Sequence, residues 1–223
     1  MAHLGFASST TTTVAAVPVE STYRHGGKRC FDLLLGFALL PILLPTICIL
    51  TILNTLSIGS PIFGHTRIGQ DGRSFACWKM RTMLPASDHV LTDYLAQNPS
   101  AADEWAKTQK LKNDPRVAQF GRFLRRTSLD ELPQIWNVIR GDMSFVGPRP
   151  ITQNELSRYG HATHKYLSVR PGITGLWQIY GRANGCYKER VQMDTVYCNA
   201  ITVHQDLALI AMTALVLIKA TGK

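Results

Sequence analysis

Asp130 and Glu131 are adjacent carboxylates at the centre of a stretch, TSLDELPQIWNVIRGDMSFVGPRP (residues 127–150), that is rich in groups able to handle phosphate. Arg125 and Arg126 precede the pair and Arg149 follows it. A carboxylate amid this much positive charge is expected to stay ionised, and it can attack a phosphoryl group whose own charge the arginines offset. Leu132, Ile135, Trp136 and Ile139 recur at i, i+3, i+4 and i+7, the signature of one apolar face of a short helix that Gly141 would stop. Two starts fit. Ser128 and Glu131 match a capping box, but that choice puts Pro133 in the second turn, where its ring and missing N–H disturb the ladder. With Asp130 as N-cap, Pro133 falls among the donors that have no partner anyway, and this is the preferred reading. It sets Asp130 beside free N–H groups at the positive end of a helix. Taken alone, such a pair is more often a cap next to solvated arginines than a reacting centre.

Several multi-residue words change that balance by occurring together and in order. RRTSLDELPQ, NVIRGDMSFVGPRP and RPGITGLWQIYGR resemble the bacterial sugar transferase family, the small monotopic phosphoglycosyl transferases that begin exopolysaccharide or glycan assembly, and the likeness runs from about Lys28 to the C-terminus. The resemblance implies transfer of a sugar-1-phosphate, a hexose by expectation, from a UDP-sugar to polyprenyl phosphate. Asp130 would be the nucleophile, forming a sugar-phosphoryl-aspartyl intermediate, and Glu131 its partner. Mg²⁺ would sit at or beside Asp130, and Lys79, Arg81, Arg126, Arg149 and Arg182 would contact substrate. The implied location is the cytoplasmic face of the inner membrane.

These groups need a scaffold, and length bounds it. The chain has 223 residues, enough for one domain with a sizeable core, or a smaller one with a membrane element. Its formal net charge of +9 calls for an anionic partner. No helix-turn-helix, zinc finger or aromatic strand motif accompanies the charge, so phosphorylated substrates and lipid headgroups are expected rather than nucleic acid. A basic nucleic-acid binder would leave the apolar run below unexplained, and a non-catalytic membrane scaffold would leave the acidic and basic motifs without a task. Five scattered cysteines without a CxxC suggest neither a disulfide framework nor a zinc site, and fit a reducing compartment.

Residues 1–22 form a Ser/Thr/Ala-rich tail with no periodicity, expected to be disordered. Residues 33–53 are uncharged, about 21 residues, long enough as a helix to cross roughly 30 Å of hydrocarbon. Pro41 and Pro45 each delete a helical hydrogen bond near its middle, and basic residues flank both ends: Arg24, Lys28 and Arg29 before, Arg67, Arg73, Lys79 and Arg81 after. A re-entrant helix-break-helix over residues 23–58, dipping into one leaflet with both ends cytoplasmic, satisfies both observations. The family is built this way. Asp32, in KRCFD, matches the family's aspartate at the start of the run, where it could pair with arginine, or it is merely a helix-cap acid.

Residues 59–223 then read as a catalytic domain, mixed α/β and mostly helical with a small sheet. SPIFGHTRIG and RSFACWKMRTM are two β-prone runs joined around Gln70, Asp71 and Gly72, a hairpin signal. Lys79 and Arg81 alternate along the second run and would share a face. Residues 85–113 are polar, locally helical and carry no motif. His161 and His164 lack a convincing third ligand and read as surface histidines. Arg190, Asp194 and Tyr197 match the family but fit an internal salt bridge equally. Residues 207–218 form an apolar helix too short to span, with Leu207, Ile210, Ala211, Ala214, Leu215 and Ile218 on one face, expected to lie against the membrane or the re-entrant helix.

Overall fold

In the computed structural model, residues 22–85, 87–108, 111–181 and 186–218 are described. The tail expected to be disordered lies outside them except for Thr22, as do Arg182, Lys219 and Lys223. After a π turn at Tyr23–Gly27, α1 (Lys28–Ile58) runs without interruption through Pro41 and Pro45. The expected break is not seen as a gap in the helix. Each proline removes one ladder bond and its neighbours continue the ladder, with the Thr46 hydroxyl adding a 2.8 Å bond to the Ile42 carbonyl. By length and composition α1 is compatible with a monotopic membrane protein. Its outer side is apolar and open, with Leu34 73% and Leu56 82% exposed.

Both ends of α1 are fastened to one body. Near its start, Arg29 donates to the carbonyls of Val138 and Ile139 at 2.6 and 2.8 Å, and buried Asp32 accepts from the Ser144 hydroxyl and the Phe145 N–H at 2.9 and 3.0 Å. Asp32 therefore binds a strand, where the sequence suggested an arginine partner or a cap. Near its end, Leu50 packs with Met80 and Leu124, and buried Asn54 donates to the carbonyls of Pro61 and Arg81 at 2.9 and 2.8 Å.

The hairpin forms as expected. β1 (Ile62–Ile68) and β2 (Ser74–Met80) pair antiparallel, from Ile62 opposite Met80 to Ile68 opposite Ser74, around a turn in which Asp71 and Gly72 both take positive φ, 58° and 76°. Two helices follow, α2 (Ser87–Gln97) and α3 (Pro99–Thr108), where Trp105 lies under the Arg116 guanidinium. Then come α4 (Gln119–Thr127) and α5 (Gln134–Arg140). Asn137 of α5, fully buried, accepts from the Trp78 N–H at 3.0 Å and donates to the Ala76 carbonyl at 2.8 Å, so it supplies the free edge of β2 with the partner a third strand would have given.

A second, parallel pair joins β3 (Ser144–Val146) to β4 (Gly172–Thr174), with α6 (Gln153–Leu156) and α7 (Thr163–Leu167) between them in sequence. Glycine is required here: a Cβ on Gly172 would lie 2.1 Å from the Gly147 nitrogen. No strand was expected in either segment. After α8 (Leu176–Tyr180) and α9 (Tyr187–Asn199) the described chain ends in α10 (Val203–Ile218). Asp206, Leu209 and Thr213 turn inward: Asp206 accepts from Tyr23 at 2.7 Å and Tyr197 at 2.8 Å and pairs with Lys28, while Thr213 meets Thr174 at 2.7 Å. Leu207, Ala211, Ala214 and Leu215, on the apolar face identified in the sequence, are exposed. The molecule is mostly helical with two small sheets.

Candidate active site

The acidic pair does not begin a helix. Ser128, at φ 56°, ends α4; Leu129–Glu131 form a single 3-10 turn; α5 starts only after Pro133. Neither a Ser128–Glu131 capping box nor an Asp130 cap is present, since no side chain caps either helix start. Pro133 explains this, because its missing N–H fits the orphan positions before α5 and cannot continue the turn that precedes it. The apolar face also differs in part. Ile135 is buried, but Trp136 is 56% exposed, while Val138 and polar Asn137 are fully buried, because Asn137 must reach β2.

Leu129 and Leu132 anchor the turn by packing into the cluster of Leu50, Met80 and Leu124. Glu131 is thereby directed to Lys79, with Oε1 2.6 Å from Nζ. The two line a small cleft with Arg67, Cys77, Gln134, Arg149, Pro150, Gly172 and Ile173. Three cations on one small concave wall suit a diphosphate. Asp130 is half-buried beside them. Burial pushes its carboxyl above the usual aspartate range and neighbouring Glu131 adds to this, while Lys79 and Arg125 pull it down. The expectation of a comfortably ionised carboxylate thus meets a competing desolvation. Cys77 is pushed up as well, mainly by burial.

Of the residues chosen from the sequence, Glu131, Lys79 and Arg149 line the cleft and Asp130 adjoins Glu131. Arg81 lies past the end of β2, its Nε bonded to the Ser60 carbonyl at 3.0 Å and its guanidinium over Phe63. Arg126 is exposed on the last turn of α4, and Arg182 is outside the described residues. Arg67 and Gln134 were not singled out as substrate contacts. Arg67 gave only a charge after an apolar run, and Gln134 follows the dyad without any pattern of its own.

A buried network backs the cleft. Glu155 Oε2 takes the Thr152 N–H at 2.9 Å and Arg67 at 3.2 Å, and Oε1 takes Arg190 at 3.4 Å. These partners hold the Glu155 carboxyl below its ordinary range against its own burial. Arg190 also donates to the Arg149 carbonyl at 3.2 Å and lies 3.8 Å from Asp194, whose carboxyl burial pushes up to about 6 although Tyr159 donates to it at 2.6 Å. Arg190 and Asp194 therefore form the internal pair. Among the described residues no three His, Cys, Asp or Glu side chains gather to hold a metal alone. Two adjacent carboxylates beside a cationic cleft nevertheless fit Mg²⁺, which typically takes one or two carboxylates and completes its shell with substrate phosphate and water.

The profile described as bacterial sugar transferase matches residues 23–220, nearly the whole chain. The protein belongs to the bacterial sugar transferase family. Among its relatives, the undecaprenyl-phosphate galactose phosphotransferase of Salmonella typhimurium is 46% identical over 87% of this chain and 41% of its own length. The exopolysaccharide production protein ExoY of Sinorhizobium fredii is 44% identical over 93% of this chain and 94% of its own. The UDP-glucose:undecaprenyl-phosphate glucose-1-phosphate transferase of Escherichia coli is 36% identical over 90% and 43%. The chain thus spans about two-fifths of the length of some of these sugar transferases and almost all of ExoY. The matched region includes the turn that carries Asp130 and Glu131.

Proposed function

We propose that this chain transfers hexose-1-phosphate from a UDP-hexose to undecaprenyl or another polyprenyl phosphate, starting exopolysaccharide or glycan assembly. Its main support is the juxtaposition of half-buried Asp130 and its Glu131 partner, on a turn whose leucines pack with Leu50 of the apolar helix α1, with a cleft walled by Arg67, Lys79 and Arg149. Galactose is favoured over glucose, because the relatives named for galactose or galactosyl transfer are 41–46% identical and those named for glucose 34–36%.

The reaction proceeds by two displacements. An Asp130 oxygen attacks the sugar-bearing phosphorus, the bond from that phosphorus to the bridging oxygen breaks, and UMP leaves. The acceptor's phosphate oxygen then attacks the same phosphorus, the Asp130–phosphorus bond breaks, and lipid-diphospho-sugar departs with the carboxylate restored. Arg67, Lys79 and Arg149 neutralise the diphosphate. Glu131, held at Lys79, takes the proton of the incoming phosphate. Asp130 and Glu131 would hold Mg²⁺, which supplies further charge neutralisation on the diphosphate when bound.

The geometry of α1 supports a membrane placement. A 31-residue helix is about 46 Å long at ~1.5 Å per residue, yet both of its ends are fastened to the same body. That supports both ends lying on the cytoplasmic side, with the helix dipping into one leaflet as a re-entrant segment bent at Pro41 and Pro45. The exposed apolar face of α10 would rest on the same surface. Incubation with radiolabelled UDP-galactose or UDP-glucose and polyprenyl phosphate tests the activity. The proposal expects lipid-soluble label, more from galactose, and no lipid-soluble label with either donor contradicts it.

A further inference from the structure

Gln134 lines the cleft with a polar group that the scheme above leaves unused. It opens α5, three residues beyond Glu131, and is 3% exposed. It lines the cleft with Arg67, Lys79 and Arg149, and its side chain makes no hydrogen bond among the described residues. Its amide atoms are not sealed off from solvent, so water satisfies the group in the open cleft and a ligand can take the place of that water. The neighbouring wall is basic, so the expected occupant is an anion whose oxygens accept and cannot donate. The amide must then present its N–H₂ end.

On the transferase reading given above, we propose that Gln134 is a catalytic residue that donates a hydrogen bond from Nε2 to a non-bridging oxygen of the phosphoryl group passing through Asp130. A neutral donor suits this position. A cation here would compete with Lys79 for Glu131 and would pair with Asp130, quenching the nucleophile, whereas an amide donates without binding either carboxylate tightly. The bond strengthens as charge gathers on the phosphoryl oxygens, so it favours transfer more than binding.

The test is release of nucleoside monophosphate from UDP-hexose in the absence of lipid acceptor, followed as a burst alongside thermal unfolding of the same preparations. Gln134→Met keeps the volume and removes the donor. It is expected to slow the burst about 10–100-fold, the loss of one hydrogen bond to a charged group, with the unfolding temperature unchanged because the amide makes no hydrogen bond within the protein. Gln134→Glu places negative charge against the phosphate and should slow the burst further. A Gln134→Met burst at the wild-type rate overturns the proposal. So does a slowed burst with a matching loss of stability, which would mark Gln134 as a packing residue. The wild-type control separates two failures: if wild type releases no nucleotide from any UDP-hexose, the transferase reading itself fails, whereas a normal wild-type burst with an unimpaired variant removes only the role of the amide.

Discussion

Asp130 sits between opposing influences, and that makes its behaviour with pH specific. Burial and Glu131 raise its carboxyl, Lys79 and Arg125 lower it, and burial is the largest of these. A protonated carboxyl cannot attack, so adduct formation should rise with pH through a limb lying above the ordinary aspartate range of about 4. Lys79→Met removes a lowering charge, so the limb should shift to still higher pH, beyond any drop in donor binding. The pH profile of the nucleotide burst checks this, and a limb that stays put or moves down would contradict it. At this scale the sequence made the dyad, Lys79 and Arg149 visible because they lie in contiguous words. Arg67 and Gln134 reach the cleft by tertiary placement alone. Arg67 arrives on β1, from the far end of the hairpin, and nothing in its local sequence announces a phosphate.

The elements that hold these residues depend on a few buried polar side chains. Asn137 satisfies two backbone groups of β2, the strand that carries Lys79. Asn137→Ala would leave the Trp78 N–H and the Ala76 carbonyl without partners, a loss of about 2–4 kcal/mol, seen as a lower unfolding temperature in detergent. A change under about 0.5 kcal/mol would mean that water replaces the amide. The β1–β2 hairpin was legible from its Asp-Gly turn, and α1 from its apolar run. The start of α5 was misplaced because helix-cap reasoning weighed Asp130 and Ser128, whereas Pro133 and the left-handed Ser128 divide the stretch into a 3-10 turn and a separate helix. The parallel β3–β4 pair was not legible. Three-residue strands carry almost no periodicity, and this pair rests on the close approach of Gly147 and Gly172.

For the molecule as a whole, one body grips both ends of α1 while the outer side of that helix stays apolar and open. Asp32 with Ser144 at one end, and Asn54 with Pro61 and Arg81 at the other, fix that arrangement, and the Asp32–Ser144 bond joins residues too far apart in sequence to be foreseen. Cysteines engineered near Arg24 and Arg67 in a chain lacking its native cysteines should both react only from the cytoplasmic side, and reaction of one from the opposite side would exclude the re-entrant placement. The central claim is chemical. It is tested most directly by mass spectrometry of protein quenched after mixing with UDP-hexose in the absence of polyprenyl phosphate. A hexose-phosphate adduct on the peptide containing Asp130 is predicted, absent from Asp130→Asn, a variant that should fold normally because Asp130 caps no helix. An adduct on another residue, or full turnover by Asp130→Asn, would contradict the account and assign phosphoryl transfer to a direct route.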